Sequence, residues 1–148
     1  MSDWHRWWVP LVGGLFMASA CGESDGCDCA SPAFQAVVAG NNVTPHKNPA
    51  DTAARATVTI VGYGPSYTFT YALGVAPHGT VDGIRILQGT VTKGTICSAA
   101  PCAAFGVVKG VSDTTLYRSM RNVEVVVRVY TDSDPLGAAE GAITPVSP

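Results

Sequence analysis

The sequence predicts an all-β protein: a single antiparallel, Greek-key-like β-sandwich with one short helix, preceded by a signal peptide and a polar tether. Three observations carry that expectation. Residues 66–73 (Ser-Tyr-Thr-Phe-Thr-Tyr-Ala-Leu) put Tyr67, Phe69, Tyr71 and Leu73 on one face and Ser66, Thr68 and Thr70 on the other. This period of two marks a half-buried strand, and a helix would scatter the same aromatics around its circumference. Residues 123–130 repeat the alternation, with Val123, Val125, Val127 and Val129 inward and Glu124 and Arg128 outward on one face, where they read as a solvated pair of little worth. Short apolar runs separated mostly by Gly, Pro, Asn or Asp fill the rest, the spacing of a sandwich or barrel.

Taken in order, the expected strands are 34–39, 53–61, 66–73, 81–87, 103–109, 123–130 and 138–144. The one helical candidate is 114–121. Asp113 or Thr114 is placed to cap it, Leu116, Tyr117 and Met120 share a face, and Asn122 is placed to end it.

The chain has 148 residues, which allows one domain of ordinary size. Hydrophobic residues make up 47% and charged residues 14%, enough apolar material for a core and too little charge for a disordered tail. Nine Lys and Arg against eleven Asp and Glu leave a net charge of −2, with no basic surplus for a phosphate backbone, so nucleic acid is not an expected partner.

Before the strands, residues 1–20 have Arg6 as their firm cation, an apolar stretch over 7–18 and small residues at the end, and resemble a bacterial signal peptide. The stretch is shorter than the roughly 20 apolar residues of a spanning helix. Ala18-Ser19-Ala20-Cys21 resembles a lipobox, which implies diacylation of Cys21 and a membrane anchor; cleavage and secretion after Ala20 is the alternative. Residues 21–33 then form a small, polar tether, and 145–148 a short tail. Gly22 after the cysteine resembles the outer-membrane sorting signal of Gram-negative cells.

Five cysteines leave one unpaired in an exported protein, and acylation accounts for Cys21. Cys97 and Cys102 flank Ser-Ala-Ala-Pro, a loop short enough to close locally, and are expected to form a disulfide. Cys27 and Cys29 are candidates for a second bridge. Cross-pairing with Cys97 and Cys102, or a four-thiolate zinc site, stays open.

Four stretches resemble the chordin-type (CHRD) domain of exported bacterial and animal proteins. Residues 34–45 look like that family's opening strand followed by Gly-x-x-x-Val-Pro-Pro, and 53–58 with 67–73 look like its first strand pair. Ile84-Arg85-Ile86-Leu87-Gln88-Gly89 stands in the place of Ala-His-Ile-His-Gly. Residues 122–131, then Asp134-Pro135 with Gly137 and Gly141, fall where the family has Tyr-Val-Asn-Val-His-Thr and Asn-Pro-x-Gly-Glu-Ile-Arg-Gly. The resemblance covers residues 34–143 and implies an all-β extracellular domain with no established reaction. Arg85, Leu87 and Tyr130 occupy the positions of its histidines.

Catalytic signatures are missing from the sequence: there is no Gly-x-Ser-x-Gly elbow, Walker loop, His-Glu-x-x-His helix or Gly-x-Gly-x-x-Gly after a strand. His46 and His78 lie in proline-flanked turns and, with Asp51 or Asp82, are weak candidates for a metal site, as are Asp132 and Asp134 for calcium. Solvated turns explain all of them, so no cofactor is expected. The function expected from these features is a monomeric, non-catalytic binding or structural module of the bacterial cell envelope, contacting an envelope protein or extracellular ligand. Tyr63, Gly64-Pro65 and the loop between Cys97 and Cys102 are the candidate contact features. The rival is a metal-binding protein or metalloenzyme with a superoxide-dismutase-like sandwich.

Overall fold

A computed structural model describes residues 33–43, 48–63, 66–111 and 115–146. Eight strands run antiparallel: β1 (Ala33–Ala39), β2 (Arg55–Tyr63), β3 (Ser66–Val75), β4 (Val81–Gln88), β5 (Val91–Cys97), β6 (Phe105–Val111), β7 (Val126–Thr131) and β8 (Ala139–Pro145). They form one sheet in the order β5-β4-β7-β8-β1-β2-β3-β6. The sheet curls until its edge strands β5 and β6 approach each other, so its two halves face one another across a shared core. The pairings β4–β7 and β3–β6 join strands distant in sequence, which requires crossing connections. The expected antiparallel all-β class is what the described residues adopt, with one short α-helix among them.

The alternation of β3 is realised as read. Tyr67, Phe69 and Tyr71 are buried, Leu73 packs at the core margin, and Ser66, Thr68 and Thr70 face outward. Phe34, Ala36 and Val38 of β1, Val58 and Ile60 of β2, Ile84 and Ile86 of β4, Ile96 of β5 and Ile143 of β8 meet them in one cluster. Tyr71 lies over Gly106, its cross-strand partner on β6; a Cβ there would stand 2.4 Å from the ring. Helix α1 (Leu116–Arg121) packs on β8 and sends Leu116 and Met120 into the core, while Tyr117 meets Phe34 edge to face at 5.9 Å. Asn122 is its C-cap, as expected; Asp113 and Thr114 lie outside the described residues.

Three expectations need correction. Strand β5 was not expected, because only Ile96 of its seven residues is buried and no alternation shows. Val123 does not face the core: it lies in the tight connection between α1 and β7 with φ of 56° and is 48% exposed, so the inward valines are Val125, Val127 and Val129. Arg128 is not simply a solvated neighbour of Glu124: it forms a largely buried ion pair with Glu140, its register partner on β8.

Candidate functional site

The outer face of β4, β7 and β8 carries a groove of about 590 Å3. Its position follows from register. Arg85 of β4 stands directly opposite Arg128 of β7, and Arg128 directly opposite Glu140 of β8. Like charges facing each other across two strands repel, so this arrangement requires compensation. Glu140 provides it. Arg128 donates from Nε to Glu140 Oε2 at 2.6 Å, and its Nη2 pairs with the same oxygen. The side chains are 19% and 12% exposed, so the pair is largely withdrawn from water.

The loop between β7 and β8 then closes over the arginine stem. Leu136 O accepts from Arg128 Nη1 at 3.3 Å, and Gly137, at φ of 123°, passes so close that a Cβ would lie 2.6 Å from Arg128 Cδ. Only glycine combines that backbone angle with that approach. The loop is held from within by Asp134, whose Oδ1 accepts from the Leu136 N–H and whose own N–H donates to Thr131 Oγ1 at 3.0 Å.

Arg85 is treated differently. It is exposed, and its guanidinium sits 4.8 Å from the Tyr130 ring centroid, a cation–π contact. Among the described residues no carboxylate or carbonyl accepts from it. Leu87 forms an apolar floor, Val126 and Leu136 add apolar walls, and Leu136 is 59% exposed. At the far end Glu124 is held by the amides of Gln88 at 3.0 Å and Asn122 at 3.2 Å. The lining thus carries two positive and two negative side chains, with three of the four restrained by protein partners and Arg85 restrained only through an aromatic face.

The residues singled out in the sequence fall elsewhere. Cys97 and Cys102 are disulfide-bonded, with Cα atoms 6.1 Å apart, and the Cys102 N–H donates to Val81 O, tying the loop to the start of β4. Cys21, Cys27, Cys29, His46 and Gly64-Pro65 lie outside the described residues, and of Tyr63 only the strand placement is described. His78 is exposed, and it is its backbone N–H, not its ring, that reaches Asp51 Oδ1 at 2.5 Å. Asp51 is buried, with Oδ2 unpartnered. Asp132 Oδ1 accepts from the Thr80 N–H at 2.8 Å, a bond that lowers its pKa from the ordinary 3.8 against a smaller opposing effect of desolvation. Asp134 is buried in its own loop and Asp82 is half-buried. Among the described residues no three His, Cys, Asp or Glu side chains gather to hold a metal ion. None of the described residues forms a helix long and apolar enough to cross a membrane.

No protein-family model, curated protein or solved structure matches the chain. The groove therefore stands on its own chemistry. The sequence singled out Arg85, Leu87 and Tyr130, and Glu124 with Arg128 as an outward solvated pair, but not Glu140 or Leu136 as groove residues. The outward positions of β4 and β7 were legible as alternation; their meeting with Glu140 depends on a strand pairing that no local pattern announces.

Proposed function

We propose that the protein is an exported, lipid-anchored CHRD-like module of the bacterial cell envelope that binds a ligand in the β4–β7–β8 groove without transforming it. The observation that carries the binding role is the groove's construction: Arg128 is clamped by Glu140 and by the overlying loop, while Arg85 beside it has no acceptor among the described residues. A concavity of this size, lined by four charged side chains beside Leu87, Val126 and Leu136, suits a small ligand with both polar and apolar parts.

The CHRD resemblance implies no established reaction or ligand. Arg85, Leu87 and Tyr130, which stand where that family has histidines, all line this groove. Lipidation of Cys21 would hold the domain at the membrane through the 21–33 tether, on the outer membrane in a Gram-negative cell; secretion is the alternative. Cys21→Ala tests the anchor: it abolishes fatty-acid labelling and releases the protein from the membrane fraction, and unchanged retention rejects the anchor. Titration of the purified full chain with small organic acids, followed by backbone NMR, tests the groove. Saturable shifts at residues 85–92 and 124–140 are expected, and shifts confined elsewhere reject the groove as the binding site.

A further inference from the structure

We infer that the groove selects a monoanionic carboxylate joined to an apolar body, with the carboxylate on Arg85. This deepens the proposed binding role and rests on it. Two arginines are register partners across β4 and β7, but Glu140 pairs only with Arg128. Arg85 therefore keeps its charge uncompensated by any described carboxylate, and a planar carboxylate matches its fork of N–H donors. The stacking on Tyr130 restrains the side chain before any ligand arrives, lowering the ordering cost of binding.

Charge count sets the ligand's valence. Glu124 and Glu140 line the same groove, so a dianion such as phosphate meets repulsion that a single carboxylate largely avoids. The apolar body follows from the walls. Leu87, itself buried, lies in the groove floor, and Leu136, on the loop clamped to Arg128, lines the groove and is 59% exposed. Covering that leucine is favourable at about 25 cal/mol per Å2 of apolar surface removed from water.

The test uses three probes on the purified full chain at about pH 8.5, where phosphate is mostly a dianion and arginine stays charged: N-acetyl-L-leucine, its carboxamide N-acetyl-L-leucinamide, and inorganic phosphate. The acid binds with saturable shifts at groove residues, the carboxamide binds at least tenfold more weakly, and phosphate does not compete. Arg85→Gln, an exposed change that leaves the circular-dichroism spectrum intact, weakens the acid at least tenfold, and Arg85→Lys restores part of the loss. Equal binding of acid and carboxamide, competition by phosphate, or indifference to Arg85→Gln overturns the carboxylate inference while leaving the groove as a binding site. Absence of any groove shift with all three probes overturns both.

Discussion

Replacing Glu140 with Gln removes the carboxylate that pairs with Arg128, the register partner of Arg85. An exposed ion pair is worth at most about 1 kcal/mol, whereas removing one partner of a fully buried pair costs about 3–5 kcal/mol. The side chains of Arg128 and Glu140 are 19% and 12% exposed, which places the pair nearer the buried limit. Glutamine keeps the shape and one acceptor oxygen but leaves Arg128 charged opposite Arg85. Together these give an expected loss of about 2–3 kcal/mol, weighted between the two limits. In a domain of this size each kcal/mol lowers Tm by about 3–4 °C, so calorimetry on the Glu140→Gln chain reads a fall of about 6–12 °C. Adding Arg85→Gln to Glu140→Gln recovers part of that loss, because one member of the repelling pair is gone. A shift below about 2 °C for the single variant, or no recovery in the double, refutes the electrostatic account of the groove.

Three further outcomes are expected. Tyr67 is buried with its hydroxyl unpartnered, so Tyr67→Phe holds or raises stability by up to about 1 kcal/mol in urea denaturation; a loss above about 1 kcal/mol contradicts this. Asp132 has a lowered folded pKa, so its tie to Thr80 is complete above the ordinary 3.8 and is lost as pH falls through the folded value. The Thr80 amide shift followed by NMR then shows a midpoint below 3.8, and a midpoint at or above it counts against the bond. Converting both Cys97 and Cys102 to Ser removes a six-residue loop constraint worth about 2 kcal/mol, with Tm reduced accordingly and groove binding retained.

Much of the fold was legible because it is written in local periodicity. β3 shows this most clearly, since every second residue from Tyr67 to Tyr71 is buried by the same sheet. β5 was not legible: as an edge strand it offers one inward residue, Ile96, and pairs only with β4 through a ladder whose register shifts twice. Val123 shows where periodicity overreaches, because the chain must turn between α1 and β7 before the valine alternation begins. The groove was half legible. Its outward residues on β4 and β7 follow from alternation, but Glu124 and Arg128, neighbours in the sequence pattern, take different partners once β7 lies against β8. Arg128 and Glu140 are 12 positions apart in the chain, and the pairing of β7 with β8 brings them together.

The contrast between a clamped and an available arginine is open to direct observation in the arginine Nε–H signals of the 15N-labelled full chain. The Arg128 signal is expected to exchange slowly with water and to leave the slow set in Glu140→Gln, while the Arg85 signal exchanges rapidly until N-acetyl-L-leucine is added and then sharpens and moves. Rapid exchange at Arg128 in the unaltered chain, or an Arg85 signal that is indifferent to the acid, would contradict that contrast.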